Sequence, residues 1–363
     1  MRPTLHNRAR VYDSVRSAHL ERAHQLAPAS ILYRRHRYDF DPALAEGLDL
    51  HRGGLLRTTV TLLRSRLASL EVNEPLLRPS VVRTAVLVAV ARAAAGLRRR
   101  ELVLTTYAIE NRDPFGAVPA SGPRARARAA VDRAAGRYVA RRLDRVAFGT
   151  GAAQELYGAL LADELAGAER ALVPALSSPC GCPSGSGQED GRVLFLGALT
   201  DRKGVPQLLA AWPELLARRP GARLTVVGSG PLEAEVADLA AREPGVELVV
   251  GPPRARVHEL LRAASVLVLL SQRTPVWREQ VGLPIVEALA HGCTVVTTDE
   301  TGLAGWLADH GHEVLAPDAP PAEVAAAVAG ALDRRRSPES VLADLPGTDG
   351  RLDADAWLSA PRA

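Results

Sequence analysis

The sequence predicts an α/β protein with two domains, on three observations. Short apolar runs alternate with helix-length patterns along the second half of the chain, the signature of a parallel sheet covered on both faces. Residues 177–190, rich in Ser, Gly, Pro and Cys, form a clear linker. Charge divides at the middle: residues 1–150 hold 27 Arg against 13 acids, a balance of +14, whereas residues 151–363 hold 18 basic residues against 28 acids, a balance of −10. With 363 residues, two domains of ordinary size are expected. Their bounds are an N-terminal domain over 1–176, the linker over 177–190, a C-terminal domain over 191–335 and a polar tail over 336–363.

Taken in order, the first half offers strands at Ser30–Tyr33, Ser69–Val72, Leu102–Thr106, Arg145–Phe148 and Ala171–Pro174. Between them lie helical patterns at Leu55–Arg66, Val81–Arg99, Ala127–Arg142 and Ala152–Leu165. Residues 1–30 show no convincing first strand. In the second half the strands are Arg192–Leu196, Arg223–Val227, Val246–Val250, Val266–Leu270, Thr294–Thr298 and Glu313–Leu315. The intervening helices are Val205–Arg218, Leu232–Arg242, Val257–Ala264, Leu283–His291, Leu303–His310 and Pro321–Arg334.

Composition removes several function classes. Mean hydropathy is −0.01, the start has no apolar core of signal-peptide length, and the most apolar stretch, Thr84–Leu97, is interrupted by Arg92 and too short to span a bilayer. A cytoplasmic location is expected. The three cysteines, Cys180, Cys182 and Cys293, are too few and odd in number for a disulfide framework. Cys180 and Cys182 read as linker residues, with no second cysteine or histidine pair nearby in sequence to close a zinc site, so no metal is expected.

Of 45 basic residues, Lys203 is the one lysine. In a chain so biased toward arginine, its survival points to a task that needs a compact ammonium rather than a planar guanidinium. The arginines Arg126, Arg133, Arg137 and Arg141, spaced by seven, four and four, share one side of a helix. That row suggests a surface resting on anionic lipid at the inner membrane face.

The chemistry-bearing run is Trp277-Arg-Glu-Gln-Val-Gly-Leu-Pro-Ile-Val-Glu-Ala-Leu-Ala-His-Gly-Cys-Thr-Val-Val-Thr-Thr-Asp299. Gly282 opens a helix whose first turn is Leu283, Pro284 and Ile285, and a proline is tolerated where its missing N–H has no partner. A glycine beside a helix start presents free N–H groups and partial positive charge, a seat for a phosphate. Glu279 sits at the rim, and Glu287, about one turn inside, can accept hydrogen bonds from vicinal hydroxyls such as a ribose offers.

Glu279 and Glu287 resemble the Glu-x7-Glu signature of retaining glycosyltransferases of the GT-B fold, family-four type. The resemblance covers about 190–335 and includes Phe195-Leu-Gly-Ala-Leu-Thr-Asp-Arg-Lys-Gly-Val205, similar to the family's phosphate loop, and Val226-Val-Gly-Ser-Gly-Pro231, similar to its strand-to-helix turn beside the nucleotide. It implies two Rossmann-like domains facing across a cleft, here with a divergent or shortened N-terminal domain. It further implies transfer of a sugar from a nucleotide-diphosphate sugar to an acceptor hydroxyl with retention, needing no metal and no cofactor beyond the donor as co-substrate.

Carried over by position, Lys203 binds the diphosphate, Glu279 holds hydroxyls of the transferred sugar and Glu287 the ribose. Gly197, Arg202, Gly228, Gly230, Gly282 and Leu283 complete the expected donor site. Lys203 and Glu279 are the expected catalytic pair. The arginine that the family places after its first-strand glycine is Ala198 here, so Arg202 or Arg273 would supply the second positive charge. The family's N-terminal histidine has no match; Tyr107, Glu110 and Asn111 occupy the corresponding stretch on the acceptor side. The expected acceptor is a sugar, a lipid-linked molecule or a small molecule, and nucleic acid is not an expected partner. A nucleotide-sugar epimerase of the same fold and a non-catalytic sugar-nucleotide-binding protein are the alternatives.

Other motifs fail. Gly228-x-Gly230 continues without the dinucleotide fingerprint's third glycine, and Lys203 precedes Gly204 rather than Ser or Thr, so this is no P-loop. Asp39-Phe-Asp41 and Asp353-Ala-Asp355 pair carboxylates away from the donor motif.

Overall fold

A computed structural model describes residues 5–37, 40–116, 122–182, 187–333 and 336–361; Asp39 lies outside them. The chain divides into two compact units, one of residues 1–149, 153–174 and 351–363, the other of residues 150–152 and 175–350.

In the first unit the order is β1 (Arg8–Val15), α1 (Ser17–Ala23), β2 (Ser30–His36), β3 (Leu50–Arg52), α2 (Leu55–Arg64), β4 (Ser69–Glu71), α3 (Val81–Leu97), β5 (Val103–Ala108), α4 (Pro123–Ala140), β6 (Arg145–Phe148), α5 (Gly151–Leu161) and β7 (Glu169–Leu172). These seven strands form one parallel sheet ordered β3-β2-β1-β4-β5-β6-β7. In the second unit β8 (Arg192–Leu196), α6 (Val205–Arg218), β9 (Arg223–Val227), α7 (Glu233–Arg242), β10 (Val246–Val249), α8 (Arg254–Ala263), β11 (Val266–Leu269), α9 (Leu283–Leu289), β12 (Thr294–Thr298), α10 (Ala304–Asp309), β13 (Glu313–Leu315), α11 (Pro321–Asp333) and α12 (Pro338–Ala343) follow. Its parallel sheet is ordered β10-β9-β8-β11-β12-β13. In each sheet the strand order reverses once, between β1 and β4 and between β8 and β11. Ligands of such sheets sit outside the carboxyl ends of the strands at that reversal.

Both sheets are covered on both faces, which is why their strands read as unbroken apolar runs: β11 and β12 are buried at every residue. The described residues include no helix long and apolar enough to cross a membrane.

Two expectations are corrected. Residues 1–30 do carry a strand, β1, and it is central in its sheet. Its sequence, RARVYDSV, places Arg10 in the interior at 2% exposure. There the guanidinium donates to Glu71 Oε2 (3.3 Å), Asp355 Oδ1 (2.8 Å) and the Ala27 carbonyl (3.0 Å). A buried charge is tolerated because remote partners neutralise it, and a local pattern shows none of them. Nor is 336–363 a polar tail. It contains α12 and a last helix, α13 (Gly350–Ser359), whose Ala354 and Leu358 pack on Ala147 of the first unit. Asp355 turns inward to accept from Arg8 and Arg10, each at 2.8 Å, and Arg351 pairs with Glu71. Burial alone would raise the Asp355 carboxyl, but Arg10, Arg8 and Arg351 outweigh it and hold it below the ordinary carboxylate range.

Beneath the carboxyl end of the first sheet, Glu74 Oε2 accepts from the Glu110 N–H (2.9 Å) and from the Tyr157 hydroxyl (3.0 Å). Burial dominates and pushes its carboxyl up from 4.5 to about 7. The raised value fixes the sign of the pH effect. Below pH 4.5 both folded and unfolded chains hold the proton; between 4.5 and 7 the unfolded chain releases it first and is favoured; above 7 the loss is complete. The loss amounts to about 3 kcal/mol at roughly 1.4 kcal/mol per pH unit. Glu74→Gln keeps the acceptor oxygen and removes the titration. Urea unfolding at pH 5 and pH 8 is expected to show wild type losing this stability while Glu74→Gln does not; parallel curves would refute the assignment.

Candidate functional site

The second unit gathers its polar residues where β8 and β11 end. After β8 the chain runs through Gly197 to a turn of 3₁₀ helix, Asp201–Lys203, and Gly204 then opens α6. Gly204 has φ +75° and lies so close to the next strand that a Cβ would stand 2.0 Å from the Leu270 carbonyl oxygen. No other residue fits, and the contact fixes Lys203 over the end of β11. The turn after β9 is set the same way. A Cβ on Gly228 would meet the Gly197 carbonyl at 1.8 Å, so the two expected donor glycines touch each other through bare backbone, and one on Gly230 would meet the Leu199 carbonyl at 2.5 Å.

Lys203 and Glu279 meet directly. The Lys203 ammonium donates to Glu279 Oε2, which also accepts from the Ser271 hydroxyl at 3.2 Å, with the two charged side chains 12% and 11% exposed. Glu279 is held by its backbone: it bridges to Thr301, and its carbonyl accepts from the Gly302 N–H at 3.2 Å. The indole of Trp277 lies under both cations, 4.6 Å from the Arg202 guanidinium and 5.5 Å from the Lys203 ammonium. Trp277 opens the quoted run and Ser271 lies before it; neither belongs to the Glu-x7-Glu pattern. Their signal was position alone, at the two ends of the loop that leads into Glu279.

Of the two candidates for the second positive charge, Arg202 is the one beside Lys203. Arg273 is bound instead by Glu300, a fully buried carboxylate that accepts from Arg273 at 2.5 Å and from Arg278 at 2.9 Å. Sequence reading missed Glu300, since nothing local distinguishes an acid that anchors two arginines from an exposed one.

Gly282, φ +79°, is the N-cap of α9, and Leu283 at its first position is 58% exposed. Among the described residues, no protein acceptor meets the N–H of Gly282 or Leu283. Further along, Glu287 pairs with Arg254, at the start of α8, at 2.8 Å. The structure therefore joins Lys203, Arg202, Glu279, Ser271 and Trp277 in one cluster, and gives Glu287 a partner of its own.

On the acceptor side, Tyr107 lies in β5 under the Arg351 guanidinium (4.9 Å), and Glu110 and Asn111 follow the strand in buried positions. Asp353 lies on α13 with Asp355, whose carboxylate is used by Arg8 and Arg10, so that pair is not a cation site. The reading of Cys180 and Cys182 as linker residues without histidines nearby is corrected: His258 and His291, distant in sequence, lie against them.

Residues 190–334 match the family model described as Glycosyl transferases group 1. Over 129 residues the chain is 37% identical to a glycogen synthase of Halorhodospira halophila, a stretch that covers 34% of this chain and 26% of that protein. Over 153 residues it is 34% identical to D-inositol 3-phosphate glycosyltransferase 2 of Catenulispora acidiphila, covering 39% of this chain and 35% of that one. The matches thus span well under half of the length of these relatives. In fold the likeness is broader: the solved apo form of the lipopolysaccharide outer core galactosyltransferase WaaB aligns with a TM-score of 0.65 at 12% identity, over 97% of this chain and 99% of that one. Residues 190–334 thus match the group 1 glycosyl transferases, and the two parallel sheets share the fold of that solved structure.

Proposed function

We propose that this protein transfers a sugar from a nucleoside-diphosphate sugar to an acceptor hydroxyl with retention, using protein cations rather than a metal to stabilise the leaving diphosphate. The observation that carries the proposal is the Lys203–Glu279 pair at the carboxyl edge of the second sheet. An ammonium and a carboxylate held together in a largely dry recess are poised to be separated by a ligand that offers each a better partner. The donor does so: its diphosphate takes Lys203, and the hydroxyls of its sugar take Glu279. Arg202, fixed on Trp277, adds the second charge that Ala198 cannot provide. The free N–H groups of Gly282 and Leu283 face the same chemistry. Glu287, which pairs with Arg254, would hold the ribose in this reading.

Charge develops on the departing diphosphate as the glycosidic bond breaks, and preorganised cations act mainly there. Lys203→Ala is expected to lower kcat/KM about 30-fold or more, the equivalent of about 2 kcal/mol for removing one preorganised donor. The assay follows transfer and slow donor hydrolysis with a panel of uridine, guanosine and adenosine diphosphate sugars. Unchanged turnover in a folded Lys203→Ala protein would sink the assignment. Donor binding without transfer or hydrolysis would favour the non-catalytic reading, and a donor isomerised without acceptor the epimerase; neither draws support from the matched family.

For the first unit, the reading is an acceptor at an anionic membrane surface, reached through α2 rather than α4. The arginine row on α4 is largely engaged within the unit: Arg137 and Arg141 both pair with Glu164, at 3.2 and 3.1 Å, and Arg133 lies over the Phe115 ring. On α2, by contrast, Leu56, Val60 and Leu63 form an exposed stripe at helical spacing, with Leu56 83% exposed and Arg57 and Arg64 beside it. In vesicle sedimentation the protein is expected to prefer phosphatidylglycerol-containing over neutral vesicles. The double change Leu56→Ser, Val60→Ser should weaken that binding about tenfold, from the apolar area withdrawn. Equal sedimentation with both vesicle types would end the membrane reading.

A further inference from the structure

Outside the donor cluster, one group of side chains in the second unit has no part in the chemistry above. Cys180 and Cys182 from the segment after Leu176, His258 from α8 and His291 from the turn after α9 bring four ligand-type atoms within 4.8 Å of one another. Cys180 Sγ lies 3.6 Å from His258 Nδ1, Cys182 Sγ lies 3.6 Å from His291 Nε2, and the two ring nitrogens are 3.0 Å apart. A tetrahedral zinc ion with bonds of about 2.3 Å to sulfur and 2.05 Å to nitrogen has S···N edges of roughly 3.6 Å and an N···N edge of roughly 3.3 Å. These three spacings match that tetrahedron to within a few tenths of an ångström, and the remaining pairs lie within 4.8 Å.

The hydrogen bonding favours a cation more than a chance polar cluster. His291 Nδ1 lies 2.6 Å from the Glu287 carbonyl oxygen, which can only accept, so the proton sits on Nδ1 and Nε2 turns a lone pair inward. A backbone carbonyl on the far nitrogen is the usual device that orients a metal-binding imidazole. Arg262 donates to Cys182 Sγ at 3.0 Å, stabilising the thiolate form that a metal requires. The backbone is also fixed: the Cys180 N–H donates to the Ala290 carbonyl at 2.8 Å, and Gln188 Nε2 donates to the Gly292 carbonyl at 2.8 Å. Cys293, next in sequence to that turn, donates instead to the Leu261 and Ala264 carbonyls and stays out of the group.

We infer that Cys180, Cys182, His258 and His291 bind one tetrahedral divalent ion of the zinc class, a structural site that fastens the 177–182 segment to α8 and α9. Two thiolates and two neutral imidazoles close the coordination sphere, leave no position for substrate, and suit Zn²⁺ over the oxygen-seeking ions. With two thiolates the divalent ion is neutralised, and the charge of Arg262 lies outside the sphere.

The test uses the full chain, purified under reductant and stripped with a chelator, then titrated with Co²⁺. One equivalent is expected to bring up the intense visible d–d bands of tetrahedral cobalt with thiolate charge transfer, and Zn²⁺ should displace them. Cys180→Ser and Cys182→Ser, both on an irregular segment where folding is least at risk, should each weaken binding at least 100-fold. Arg262→Ala should weaken it about tenfold, as outer-shell changes do, and Cys293→Ser should leave it intact. In parallel, Zn²⁺ should raise the thermal midpoint of wild type and not that of the double serine variant, since an ion bound only by the folded state stabilises it. Absence of the bands, bands that persist in the double serine variant, or a Cys180–Cys182 disulfide that survives reductant and excludes cobalt would each overturn the inference.

Discussion

A lysine and a glutamate confined to one recess set the terms for the rest of the second unit. Moving two charges out of water costs more than their mutual attraction returns unless further hydrogen bonds share the burden. Here Ser271 supplies one such bond and the Trp277 ring face supplies a second, weaker contact to the ammonium. What remains is a pair that folding tolerates and a ligand can exploit. The pair meets there because Gly204 allows the turn after β8 to touch Leu270, while beside it Gly228 lies against the Gly197 carbonyl with no room for a side chain. The geometry of the pair thus rests on close backbone approach first and on charge second.

That ordering explains how much could be read from the sequence. The second unit was legible almost strand by strand, because a parallel strand covered on both faces must be apolar throughout, and β8, β9, β12 and β13 fall where the apolar runs do. Lys203, Glu279 and Glu287 stood out because they match the family's pattern by position; the structure brings the first two together and pairs Glu287 with Arg254. Gly228 has a structural requirement of its own that the sequence does not announce: the Gly197 carbonyl leaves no room for a Cβ.

What sequence could not show is held together by contacts of long range. Strand β1 failed the apolar test because Arg10 interrupts it, and only Glu71 and Asp355, 61 and 345 residues away, make that arginine acceptable inside. The same acid turned an expected polar tail into a docked helix. Glu300 escaped notice for a similar reason, since its worth lies in Arg273 and Arg278, brought to it by the loop after β11. Cys180 and Cys182 looked solitary because their histidines follow 78 and 109 residues later.

Helix α8 shows how these separate features depend on one another. Arg254, His258 and Arg262 recur every four residues and so form one row along a single face. The first pairs with Glu287 on α9, the second meets His291 just beyond α9, and the third donates to Cys182. Glu287 takes part twice, its carboxylate facing Arg254 and its carbonyl holding the His291 ring. A displacement of α8 by a fraction of a turn would break all three contacts together, and would release the Glu287 carboxylate along with the thiol. An ion at the middle of that row would therefore do more than tie down a loop. By fixing His258 and His291 it would hold α8 and α9 in register, and with them the orientation of Glu287 against Arg254.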